Sequence, residues 1–163
     1  MKPGLLHVTL SMIKISGDAG INEAKKLMIE LKDELDTIIK SQKCHLIVDA
    51  LDTFGQRVLY AKIKSDPVDI FANMYSQIQS RLKNAVHISS TNRFESIPHM
   101  TLLKVSRPIA RLRNSKYLPS YLYEDFRNSY FGVQPIDNLK LCLIDAETSY
   151  DGFYETISSL DFS

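Results

Sequence analysis

The chain has 163 residues, 44% hydrophobic and 24% charged, with no tryptophan. That length buries a real core and fits one domain over residues 1–163, and the composition excludes a fibrous or low-complexity chain. A formal net charge of +1 exerts no global pull toward nucleic acid or membrane, so any basic preference must be local.

The opening Met1-Lys2-Pro3-Gly4 leads straight into an apolar stretch, which is neither a signal peptide nor a membrane span. Cys44 and Cys142 lie far apart without metal-type spacing, so they read as free thiols in a reducing compartment. The expected setting is cytoplasm or nucleus, with no membrane contact.

Residues 5–15 alternate as a strand, with Leu6, Val8 and Leu10 on the face opposite His7 and Thr9. Ser16-Gly17-Asp18-Ala19-Gly20 breaks it. Residues 21–40 follow helical spacing through Ala24, Leu27, Met28, Leu31, Leu35, Ile38 and Ile39, with a solvated charged face opposite. Residues 44–51 and 57–64 read as two strands joined by Asp52-Thr53-Phe54-Gly55. Asp66-Pro67 resembles an N-cap followed by proline, starting a helix that runs to about residue 83. Residues 86–96 are short and irregular. Pro98 sets the entry to a strand over 99–105, followed by a loop at 106–119 and a helix from about 120 to 128. Residues 138–144 and 153–158 close the chain as a hairpin across Ser149-Tyr150-Asp151-Gly152. This order predicts an α+β or mixed α/β domain.

Two stretches stand out: Leu6-His7-Val8-Thr9-Leu10 and Pro98-His99-Met100-Thr101-Leu102. Strand residues i and i+2 share a face, so each stretch presents one imidazole and one hydroxyl together. An imidazole gives or takes a proton near neutral pH, and a hydroxyl can bond a phosphate oxygen. One His-x-Thr in a strand is ordinary composition. Two copies, each followed by Leu, in a chain with four histidines point to phosphate chemistry by His7, Thr9, His99 and Thr101.

The paired motifs resemble those of the two-histidine (2H) phosphoesterase superfamily. The likeness is to the phosphoesterase domain of A-kinase anchoring proteins and of a subunit of the activating signal cointegrator complex. It extends through Phe54-Gly55-Gln56-Arg57-Val58-Leu59-Tyr60-Ala61-Lys62, Leu103-Lys104, Phe131-Gly132, Leu141-Cys142, Gly152-Phe153-Tyr154 and Leu160-Asp161-Phe162-Ser163. It implies a two-lobed α+β fold, with antiparallel-rich sheets around a central cleft and helices outside. It also implies that all four motif residues are catalytic, acting on 2′,5′-oligoadenylate, 2′,3′-cyclic phosphate or RNA 3′ ends. A nucleotide or short RNA is then the substrate, and a protein partner in a larger complex is implied as well. Domains of this kind carry a further strand and helix before the first motif, where this chain has six residues. Their lack would leave the face of Leu6, Val8 and Leu10, or the apolar flank of helix 21–40, partly bare.

Two imidazoles on facing strands can run concerted acid–base chemistry on a phosphodiester, while the threonines hold non-bridging oxygens. Which histidine is the base stays open. No metal or other cofactor is expected, because there is no carboxylate cluster or zinc spacing. The alternative is a nucleotide monophosphate-binding or scaffold module without turnover, since phosphate binding uses the same groups. A kinase-anchoring role would need a separate amphipathic helix.

Phe54 and Tyr60 are candidates for stacking on a base, although Tyr60 also suits a strand core. Tyr150, Phe153 and Tyr154 are weaker ones. Arg107, Arg111, Arg113 and Lys116 form an acid-free basic loop after the second motif, placing positive charge at the cleft mouth. Arg111 and Arg113 are its substrate-binding candidates. Strict alternation turns Lys104 away from the site, and His45 and His87 carry no role.

Overall fold

A computed structural model describes residues 3–91, 97–144 and 153–162. Its elements in chain order are β1 (Ile13–Ile15), α1 (Gly17–Gln42), β2 (His45–Phe54), β3 (Val58–Asp66) and α2 (Ile70–Leu82). There follow β4 (Ile88–Ser90), β5 (His99–Lys104), α3 (Arg107–Leu112), β6 (Tyr130–Pro135), β7 (Asn138–Leu143) and β8 (Glu155–Asp161). One sheet has the order β5-β3-β2-β6, and two ribbons pair β1 with β4 and β7 with β8. All these pairings are antiparallel. This is an α+β fold.

Helix α1 forms because its apolar positions recur on one stripe, burying Ala24, Met28, Leu31, Leu35 and Ile39. It ends at Lys43, whose left-handed backbone sends its N–H to the Ile39 carbonyl. Its stripe meets Ile70 and Met74 of α2, Leu160 of β8, Phe162 and Leu10 in the main core. The apolar flank of α1 is thus largely covered. Of the first motif stretch, Leu10 is buried and Val8 half-buried, while Leu6 is exposed.

A second core lies behind the four-stranded sheet. Val48, Leu51, Leu59, Ala61, Met100 and Leu102 pack there against Val105, Ala110, Leu118 and Tyr123. The registers shift between Asp49 and Leu51, and again between Leu59 and Tyr60. Such bulges bend a sheet and raise its twist.

Several local expectations are corrected. Residues 5–15 make one isolated bridge at Val8 and the short β1 rather than a continuous strand. Asp66 does not cap α2: it ends β3, paired with His45, and α2 starts at Ile70 after Asp69. The 106–119 loop contains α3, with Ser106 before it and Pro108 in its first turn. The helix expected over 120–128 is two 3-10 turns, Ser120–Leu122 and Glu124–Phe126. Tyr123 between them leaves helical geometry and is buried in the second core. Strand β6 was not expected, because its mostly exposed residues lack apolar alternation. Its ladder to β2 defines it. The expected turn at 149–152 lies outside the described residues.

Glu23 fastens α1 to the segment entering β4. Its carboxylate accepts the backbone N–H of Val86 at 3.0 Å and of His87 at 2.8 Å. These two bonds hold its pKa below the ordinary 4.5. A group lowered in the folded state stabilises it above the unfolded pKa and loses that effect as pH falls through the folded value. Glu23→Gln should therefore lower the melting temperature at neutral pH, with the gap to the parent closing below pH 4.5. Thermal melts across pH check this; a gap unchanged in acid would mean the charge is irrelevant.

Candidate functional site

The first motif stretch joins the large sheet through one antiparallel bridge, Val8 to Met100. Residues flanking an antiparallel pair face each other across the strands, on the opposite side of the sheet from the pair itself. That register sets His7 against Thr101 and Thr9 against His99. Met100 packs into the core behind the sheet, so the four motif residues share the front. Diagonal neighbours in such a pair have Cα atoms about 7–8 Å apart, the separation this register gives His7 and His99.

Each motif imidazole is held in the same way. His7 Nδ1 lies 2.8 Å from the Leu5 carbonyl, and His99 Nδ1 lies 2.8 Å from the Ile97 carbonyl. A carbonyl only accepts, so Nδ1 carries the proton and neutral Nε2 keeps its lone pair. His45 makes a similar contact to Lys43 at 3.2 Å, but its Nε2 faces Asp66 at 3.4 Å. The backbone contact is therefore a local habit of these strand-entry histidines. What separates His7 and His99 is that neither Nε2 is engaged by another described residue. His87 is exposed ahead of β4.

The aromatic surroundings differ on the two sides. Phe54 stacks on Tyr60 with centroids 4.1 Å apart, and both rings meet His99 edge-on at 4.9 and 5.4 Å. Tyr60 is only 4% exposed and Phe54 39%, so Tyr60 backs a ring that Phe54 presents. On the other side, Tyr154 and Phe153 meet His7 edge-on at 5.3 and 6.3 Å. The sequence ranks that pair below Phe54 and Tyr60, because position ahead of β8 does not reveal which strand end it faces. Tyr150 lies outside the described residues.

Charge also gathers on this face. Lys62 is paired directly with His99 in the β3–β5 ladder, and its Nζ lies 3.2 Å from Asp52. The Thr53 backbone N–H, donating at 2.8 Å, and then Lys62 hold the Asp52 carboxyl below its usual range. Burial, helped by Asp52, pushes the Tyr60 phenol up. Sequence reasoning misses Lys62 and Asp52, although Lys62 stands two residues from Tyr60 and so shares its face. Lys104 is a correction. The bulge between Leu59 and Tyr60 pairs Lys104 with Val58, which returns it to the face of Tyr60 and Thr101.

Arg111 and Arg113 are exposed on and just after α3. Ala110 of that helix packs into the core behind the sheet, so the basic segment departs from the back and not from the motif face. Among the described residues, no three His, Cys, Asp or Glu side chains converge as a metal site requires.

The model of the AKAP7 2'5' RNA ligase-like domain matches residues 1–162. The chain belongs to this family, a 2H phosphoesterase-like one. Human A-kinase anchor protein 7 isoform gamma is 23% identical over 160 residues, 96% of this chain. The chain spans about half, 45%, of that relative's length. Among the described residues of this family member, no helix is long and apolar enough to cross a membrane.

The carbonyl contacts make a spectroscopic prediction. Above the imidazole titration range, long-range proton–nitrogen correlation spectra should report the Nδ1–H tautomer for both His7 and His99. Finding the Nε2–H tautomer at either would remove the free lone pair from the motif face.

Proposed function

We propose that this domain is a 2H-type phosphodiesterase acting on RNA-like or nucleotide phosphodiesters, with His7 and His99 as its acid–base pair. The observation that carries the reading is the matched setting of the two imidazoles. Each is oriented by a backbone carbonyl at Nδ1, and each stands opposite the other motif's threonine. Membership in a 2H phosphoesterase-like family supports a nucleotide- or RNA-processing role.

In this reading one neutral imidazole takes the proton of the attacking oxygen through Nε2. The other, protonated, gives its Nε2 proton to the leaving oxygen as the P–O bond breaks. Thr9 and Thr101 donate to the non-bridging oxygens, whose charge grows in the transition state. The two imidazoles supply both proton transfers, so the scheme calls on no cofactor. The substrate class is 2′,5′-oligoadenylate, 2′,3′-cyclic phosphate or RNA 3′ ends.

A second reading is a nucleotide monophosphate-binding or scaffold module without turnover, serving a larger complex. What favours it is the relative's name, an anchor protein, and this chain's similarity to about half of that protein. Turnover separates the two readings.

Incubation with 2′,5′- and 3′,5′-linked oligonucleotides and cyclic phosphates, with EDTA present, should give hydrolysis of at least one class. His7→Ala or His99→Ala should each lower the rate about 10²–10⁴-fold. Thr9→Ala and Thr101→Ala should cost less, about 10- to 100-fold, for one hydrogen bond to a charged group. Abolition by EDTA would overturn the mechanism, and binding without hydrolysis would select the scaffold reading.

Although they leave from the back of the sheet, Arg111 and Arg113 are proposed to hold phosphates of a longer strand that continues beyond the motif face and around the end of β5. Neutralising both should weaken oligonucleotide binding and reduce the logarithmic salt slope by about 0.7 for each phosphate no longer neutralised. An unchanged slope in a salt titration would return them to ordinary solvated surface.

A further inference from the structure

We propose that Lys62 is a further catalytic residue, whose ammonium leaves Asp52 to contact a non-bridging phosphate oxygen between His99 and His7. This rests on the phosphodiesterase reading and adds to its site a residue outside both motifs. Lys62 moves no proton in this role. The two imidazoles still carry both transfers, and the lysine supplies charge and a hydrogen bond.

The chemistry leaves room for such a group. In the proposed scheme the four motif residues bring one positive charge, the protonated imidazole, and two neutral hydroxyls. The non-bridging oxygens gain negative charge in the transition state, and fixed donors or cations aimed at them lower the barrier.

Backbone register singles out Lys62 for this place. The Ile63 N–H donates to the Pro98 carbonyl at 3.3 Å, so the next pair along, Lys62 with His99, is of the closely spaced kind. Cα atoms in such a pair stand about 4.5 Å apart, with their side chains close together. The flexible four-carbon stem of a lysine can then carry its ammonium toward either neighbouring strand. The other lysines near the motifs start farther away. Lys104 lies opposite Val58, beyond Leu103 and its partner Leu59. Lys140 sits 5.2 Å from the centre of the Phe153 ring, which is itself 6.3 Å from that of His7.

The present partner of Lys62 holds it loosely. Lys62 Nζ lies 3.2 Å from Asp52 Oδ2, whereas Lys64, next along the same face of β3, lies 2.6 Å from Asp49 Oδ2. Charge-assisted contacts of this type are about 2.7–2.9 Å when fully formed. Asp52 keeps a bond without the lysine, because its Oδ1 accepts the Thr53 backbone N–H at 2.8 Å. Both members of the pair reach solvent, and such pairs contribute little to stability. Releasing the ammonium therefore costs the fold little, and Asp52 keeps it beside His99 until a phosphate arrives.

The test uses the whole chain and two readouts. One is turnover of the oligonucleotide or cyclic phosphate that the parent hydrolyses, and the other is equilibrium binding of adenosine 2′-monophosphate. Lys62→Gln should lower both about 10- to 100-fold, for one hydrogen bond to a charged group, with the melting temperature at the parent value. Lys62→Arg keeps the charge and should retain most of both. Lys64→Gln removes the same charge from the same face, two residues farther from His99, and should change neither. Asp52→Asn should tighten monophosphate binding in the parent chain and do much less beside Lys62→Gln.

Unchanged turnover and binding in Lys62→Gln would overturn the proposal and leave the phosphodiesterase reading standing. Equal losses in Lys62→Gln and Lys64→Gln would also overturn it, because general charge and not a contact would then be at work. So would an Asp52→Asn effect of the same size with and without Lys62. Monophosphate binding that depends on Lys62, without hydrolysis of any substrate, would uphold the phosphate contact while rejecting the phosphodiesterase reading.

Discussion

The pairing of Val8 with Met100 joins stretches ninety-two positions apart and sets the relation between the two motifs. In an antiparallel pair, a shift of one residue would exchange the faces of every side chain. The present register puts both imidazoles and both hydroxyls on the front and sends Met100 to the core behind. One bridge is a slender tie, since a backbone hydrogen bond contributes a net ~0.5–1.5 kcal/mol. The stretch is held further by Leu10 in the main core, by Gln79 donating to Ser11, and by Thr91 donating to the Met12 carbonyl. Burial of a leucine side chain contributes about 1.5–3 kcal/mol, which makes Leu10 the stronger anchor. The site therefore depends on the packing of α1, α2 and β8 that creates Leu10's place.

The sheet supplies the other half by being irregular. With regular alternation, Lys104 would point away from Thr101, and without the bulge around Ala50 Asp52 and Phe54 would turn to the back of the sheet. Ala50 adopts a positive φ of 62°, an uncommon conformation for a residue with a side chain. The shifted register beyond it pairs Asp52 with Tyr60 and Phe54 with Val58. A continuous front then forms from Phe54 through Tyr60 to His99, with Asp52 and Lys62 beside it.

The ion pairs on this face and on α1 sit at the surface, where such pairs contribute little. Asp52 with Lys62 is better understood as local ordering next to His99 than as a source of stability. The apolar cores on either side do the holding. One takes α1, α2, β8 and Leu10; the other closes the back of the sheet with Leu118 and Tyr123.

The sequence by itself determined the long helix α1, α2, the β2–β3 hairpin and the closing pair of strands, because each carries its own periodicity or turn residues. It also determined that each motif presents an imidazole beside a hydroxyl, since residues two apart on an extended chain share a face wherever that chain lies. Only the tertiary structure decided what depends on partners distant in the chain. β6 exists through its ladder to β2, and Tyr123 leaves helical geometry where a core takes its ring. Lys104 faces the motifs because a bulge against β3 turns it there. Phe153 and Tyr154 reach His7, and the basic segment goes behind the sheet, for the same reason: local pattern fixes which way a side chain alternates, but the packing of separate elements fixes what it meets.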